Sequence, residues 1–156
     1  MTLSKEIARQ IREMHFGNNW TGSTLKDQLK GLNWNEATVS LDSMNSIALL
    51  IFHSNYYIDK TLYALQHGKL EAQDKYSFDL PPVNSEKEWQ DFLSKVWSDA
   101  EEFAAHIENM PDEKLWDIMI EEKYGTYYRN FLGIIEHFHY HLGQIALIRK
   151  ILKTNP

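Results

Sequence analysis

Apolar residues recur every three or four positions over four stretches of the chain, each long enough for several helical turns, and no comparable alternating run competes. That period commits the chain to helices whose apolar stripes must bury one another, which is an all-α fold. The first stretch runs from about Leu3 to Phe16, with Ile7, Ile11 and Met14 on one face, and stops before Gly17-Asn18-Asn19. The second begins near Asp42 or Ser43, both good N-cap types, and ends near His67, where Gly68 suits a left-handed C-terminal cap. Its middle, IALLIFHSNYYI, is apolar nearly all round and belongs at the centre of the core. The third opens on Ser85-Glu86-Lys87-Glu88, a capping-box pattern, and buries Trp89, Phe92, Val96, Phe103, Ile107 and Met110 before Pro111 ends it. The fourth runs from about Tyr127 to Lys153, with Thr126 as its N-cap. Four helices around one core predict a four-helix bundle.

The connections are less regular. Residues 17–41 carry Trp20, Leu25, Leu29, Leu32 and Trp34, enough apolar side chains to lie packed on the helices rather than act as a linker. Gly68 to Asn84, with Pro81-Pro82, reads as a loop. In Asp112 to Gly125, Ile118 and Ile120 alternate with polar residues, so a short strand, an irregular hairpin and a helical turn stay open.

At 156 residues and 43% hydrophobic content the chain suits a single domain, 1–156. A chain of this length buries roughly 70% of its unfolded surface. With 16 Lys and Arg against 22 Asp and Glu, it lacks the cationic excess that nucleic-acid binding uses. No apolar run approaches the ~20 residues that a membrane span requires. The start, MTLSKEIARQ, lacks the apolar region of a secretory signal, so a soluble, cytoplasmic protein is expected. The absence of cysteine excludes disulfides, iron–sulfur clusters and a thiol nucleophile, and leaves nitrogen and oxygen as metal ligands.

Three of the seven histidines crowd into Glu136-His137-Phe138-His139-Tyr140-His141. His137 and His141 are spaced i,i+4 within or beside the apolar arc of the fourth helix, so their imidazoles stack on one face and suit a shared metal ion. The alternative is a pair of hydrogen-bonded core histidines. His139 falls on the far side, toward solvent or a partner chain. His53 stands mid-way along the most apolar helix, where a buried ring needs a partner. Three imidazoles from facing helices would leave a divalent ion with a vacant coordination position, a pattern associated with reactivity rather than with closed structural zinc. The zinc-protease signal H-E-x-x-H is missing, because Phe138 follows His137. His15, His67 and His106 fall near helix ends or surfaces and take no role.

The combination of His53, H-F-H-Y-H-L-G-Q-I from His137 to Ile145, and the Trp20 and Leu25 region resembles the DinB-like (damage-inducible) four-helix-bundle metalloproteins over nearly the whole chain. The resemblance implies an up-down-down-up bundle, often a homodimer, with a divalent metal, typically zinc or nickel, on His53, His137 and His141. It further implies metal-dependent S-transferase or isomerase chemistry with a low-molecular-weight thiol such as bacillithiol, mycothiol or glutathione, or else a hydrolase. This chain carries Phe138 where relatives commonly have a polar residue. Around such a centre Tyr57, one turn after His53, would bring a phenol near the metal, Trp20 would cover the pocket, and Gln144 would orient a ligand. Packing is the competing role for Tyr57 and Trp20, and a helix-edge polar position for Gln144. Gly143 would permit a close helix approach or a dimer contact, or is a surface glycine.

The leading expectation is therefore a three-histidine metal centre that activates water or an external thiol. Its rivals are a non-enzymatic metal- or ligand-binding stress-response protein and a purely structural helical module.

Overall fold

The computed structural model describes residues 2–154 and is all-helical, with no strand among those residues. Six α-helices follow in order: α1 (Leu3–Phe16), α2 (Leu25–Leu29), α3 (Trp34–Thr38), α4 (Ile47–His67), α5 (Glu86–Glu108) and α6 (Tyr127–Thr154). Among the long helices, α1 packs on α5, α5 on α4, α4 on α6, and α6 on α1. Their stripes meet in one hydrophobic cluster that includes Ile11, Ile47, Ile51, Trp89, Phe103, Phe131 and Ile145. Removing each large aliphatic or aromatic side chain from water contributes roughly 1.5–3 kcal/mol, so this cluster dominates the energetics. No helix is long and apolar enough to cross a membrane.

Helix starts are fixed by short polar side chains that accept otherwise unpaired amide protons. Ser46 caps α4 by accepting from Leu49 N at 3.2 Å, three to four residues later than expected. The delay has a local cause: Met44 N bonds back to Leu41 O at 2.8 Å, and Asp42 sits at φ 49°, so Asp42 and Ser43 are spent on a turn. Ser85 caps α5 as expected, accepting from Glu88 N at 3.2 Å. The Glu88 carboxylate, however, takes the Asn84 N–H at 2.7 Å rather than closing a reciprocal box on Ser85. Gly68 ends α4 in the left-handed conformation at φ 70°, donating its N–H to Ala64 O.

The connection between α1 and α4 is packed, and it has its own structure. Leu25, Leu29 and Leu32 are buried, and α2 lies against α1 and α6 while α3 lies against α4. Asn33 and Glu36 form a full capping box on α3. Arg149 of α6 is buried and ties the connection down, its guanidinium donating to Lys30 O at 3.3 Å and facing Glu36 Oε1 at 3.6 Å. Residues 112–125 resolve the open alternatives as two 3₁₀ turns, Asp112–Trp116 and Glu122–Tyr124, with an isolated antiparallel bridge between Ile118 and Thr126.

His15 lies at the end of its helix as expected, yet it is fully buried: its Nδ1 bonds to Ile11 O at 2.8 Å and its ring lies 4.3 Å from that of Phe138. Although it is the penultimate residue of α1, it shares the inward face with Met14, and α6 closes over it.

Candidate metal centre

His53 comes from the middle of α4 and His137 and His141 from α6, and the packing of those two helices brings the rings together. His53 and His141 are buried, and His137 is partly so. His137 Nε2 lies 3.0 Å from His53 Nε2 and 3.0 Å from His141 Nε2. One nitrogen from each ring falls within a sphere of contacts no wider than 4.8 Å. No other His, Asp or Glu among the described residues joins this group.

The outer nitrogens show which way the lone pairs point. Ser77 donates its single hydroxyl proton to Asp74 O at 2.7 Å, so it can only accept from His53 Nδ1, which lies 3.0 Å away. His141 Nδ1 lies 2.7 Å from the Gln144 Oε1 acceptor. Both rings are therefore Nδ1–H tautomers whose Nε2 lone pairs face His137. A neutral His137 has at most one Nε2 proton to offer two acceptors. Charging the cluster is opposed as well: burial, then the neighbouring imidazoles, push His137 down to about 4, and burial and His141 lower His53 despite opposing contributions from Ser77 and Asp74.

Three ring nitrogens thus converge with at most one proton among them, an arrangement that a cation relieves. Two nitrogens each ~2.0–2.1 Å from a tetrahedral zinc sit roughly 3.3 Å apart, close to the two 3.0 Å spacings about His137. The donor set fits a divalent metal of the zinc, nickel, copper or iron type. Ser77 and Gln144 supply the outer hydrogen bonds that orient metal-binding imidazoles.

Aromatic rings surround the group. Phe78 stacks on His53 with centroids 4.0 Å apart and planes at 16°. Tyr57 meets His137 edge-on at 4.9 Å and His53 at 5.4 Å, and its hydroxyl points to Asp74 Oδ1 at 3.4 Å. Burial raises the Tyr57 phenol above its ordinary pKa, so it stands there as a neutral donor. A cleft of about 320 Å³ opens beside His137, lined also by Tyr57, Arg129, Asn130, Gly133 and Ile134.

Of the residues expected around the centre, Tyr57 and Gln144 lie beside the three imidazoles and Trp20 does not. Trp20 is fully exposed and lines a different surface cleft with Arg9, Asn18, Thr21 and His139. The 17–24 turn is locked by its own side chains: Asn19 donates to Ser23 O at 2.6 Å and accepts from Ser23 N at 3.2 Å, with Asn18 and Gly22 at positive φ, and this geometry throws the indole outward. His139 lies away from the cluster, its Nδ1 against Ile135 O. Nor does Gly143 mediate a close approach within the chain, since a Cβ built there meets nothing within 4 Å.

Ser77, Phe78 and Arg129 also border the group, and no motif in the sequence marks them. The one available signal for Ser77 was the requirement that a buried imidazole find a partner for its second nitrogen, combined with a loop that leaves the same helix and carries Asp74 and Ser77. Comparison with protein-family models, curated proteins and solved structures finds no significant match.

Proposed function

We propose that the chain is a DinB-like, up-down-down-up helical-bundle metalloprotein that uses His53, His137 and His141 to hold a divalent cation, zinc or nickel, and to activate water or a low-molecular-weight thiol. The observation that carries the reading is the convergence of three Nε2 atoms, two of them aimed by Ser77 and Gln144. A cation bound by neutral imidazoles keeps its full charge and lowers the pKa of water or of a thiol beside it. The chain has no thiol of its own, so thiol chemistry here draws on an external one such as bacillithiol or glutathione.

The protein's residues then do the following. His53 and His141 keep their Nε2 atoms turned toward the cluster because their outer protons are committed to Ser77 and Gln144. Tyr57 packs its ring edge-on against His137 and His53 with its hydroxyl directed to Asp74, and Phe78 shields the outer face of His53 from water. Homodimerisation belongs to the same reading, with the exposed α6 residues Tyr140, Gly143 and Leu147 as the available face.

The test is elemental analysis of untagged protein, followed by S-transfer to an electrophile with metal-loaded and metal-free protein. The expected result is about one equivalent of metal and thiol-dependent turnover only when loaded. Equal rates would reject the enzyme, and tight metal binding without turnover would assign the site to a non-enzymatic metal or ligand binder.

A further inference from the structure

The cleft beside His137 is edged by an exposed cation, Arg129, that has no carboxylate partner among the described residues. Of the four arginines, Arg9 pairs with Glu6, Arg12 with Glu101 and Glu108, and Arg149 with Glu36. The Arg129 guanidinium makes no ion pair or hydrogen bond among the described residues, although the chain carries six more acidic than basic side chains. Arg129 is solvent-exposed, as are six lysines that also have no carboxylate partner among the described residues, and it differs from them in lining this cleft.

Its position is also built by the backbone. The Arg129 stem crosses Gly125, where an added Cβ would come within 2.8 Å of Arg129 Cδ, and Gly125 has φ 76°. Any other residue at 125 would both strain the backbone and push the arginine away. The remaining polar groups of the cleft are committed. Asn130 spends its amide protons on Tyr124 O and Thr126 O at 3.0 and 2.8 Å, and the Tyr57 hydroxyl is directed to Asp74. Arg129 is thus the donor left to receive a ligand.

We infer that the molecule taken at this centre carries a carboxylate, or a similar oxyanion, held by Arg129 while its reacting end lies at the three histidines. This rests on the function proposed above and adds the substrate's charge and length. Arg129 and His137 are eight residues apart on one helix, roughly 12 Å of rise, so the ligand is an extended small molecule with its anionic group remote from its reacting atom. A cleft of about 320 Å³ accommodates a molecule of that size. A guanidinium fork gives a carboxylate two parallel charge-assisted hydrogen bonds, which an alcohol cannot reproduce.

The experiment is calorimetric titration of the zinc-loaded full chain with 6-mercaptohexanoate and with 6-mercapto-1-hexanol, which share a thiol and a chain length. The carboxylate is expected to bind about tenfold tighter or more. In R129Q the ratio of the two affinities should fall to near one, and in R129K an intermediate ratio should remain; zinc content reports that each variant is folded. Equal affinities in the unmodified protein would overturn the inference. So would a carboxylate advantage that survives R129Q, because the anion would then be bound elsewhere, for example by the cation itself. Binding of the alcohol without any carboxylate preference would leave the thiol reading standing and remove only this inference. A chain that takes up no zinc, or binds zinc and neither thiol, would remove both.

Discussion

Ser77 acts on the candidate centre through a single proton. Because its hydroxyl is committed to Asp74 O, it holds His53 in the tautomer that points Nε2 inward, and S77A would leave a buried Nδ1–H without an acceptor. The expected outcome is a 10–100-fold loss of zinc affinity with zinc stoichiometry retained at saturation, read by competition with a chromogenic chelator. H53A, by contrast, should abolish stoichiometric uptake, and full metal content in that variant would end the three-histidine reading. At this scale His137 and His141 were legible because helical spacing stacks i and i+4, and His53 because a polar ring stood alone in an apolar run. Ser77 was not, since its contact with His53 spans 24 residues and follows from the path of an irregular loop. Trp20 was misjudged for the same kind of reason. The turn that throws it outward depends on Asn18 at φ 69° and Gly22 at φ 65°, which no hydrophobic period encodes.

Among the elements, α6 carries two of the three rings and also an interior glycine with open space around it. Glycine in an exposed helical position costs roughly 0.5–1 kcal/mol relative to alanine, so G143A should raise stability by about that amount in urea denaturation. If Gly143 lies in a dimer contact, the same variant should lower the self-association constant in sedimentation instead. The long helices were readable because each repeats its apolar period over at least three turns. The five-residue α2 and α3 were not, since one turn and a half contains too few positions to display a period; their evidence in the sequence was confined to buried leucines and the Asn33–Glu36 cap. Residues 112–125 stayed ambiguous because a lone bridge flanked by 3₁₀ turns satisfies neither pattern.

For the molecule as a whole, acid should act through imidazoles that the fold keeps neutral. Burial lowers His15 to about 4, with the Ile11 carbonyl only partly opposing it; His137 falls to about 4, and His53 is lowered. A histidine whose folded pKa lies below its unfolded value takes up protons on unfolding. Stability is therefore full above about pH 6.5 and falls as the pH drops toward 4. The fully buried His15 alone accounts for about 3 kcal/mol over that window, while the more accessible His137 contributes less. Denaturation midpoints measured from pH 7.5 to 4 should show this decline, and H15L should flatten part of it. A metal that binds only the folded chain adds about 2.7 kcal/mol at a hundredfold excess over its dissociation constant, so chelation should lower the melting temperature. The same acid range should release the metal.

The stretch from Asp74 to Asp79 touches two places at once. Ser77 and Phe78 hold His53, while their neighbours Tyr76 and Asp79 wall an apolar cleft of about 510 Å³ against Phe52 and Phe92. Sequence change can therefore enter where the chain is least regular. A carboxylate at 77 would make His53 a stronger electron donor and a bulkier ring at 78 would narrow the approach, both acting on that ring from outside the long helices. A change in this one loop therefore reaches the surroundings of His53 while the packed helices stay as they are.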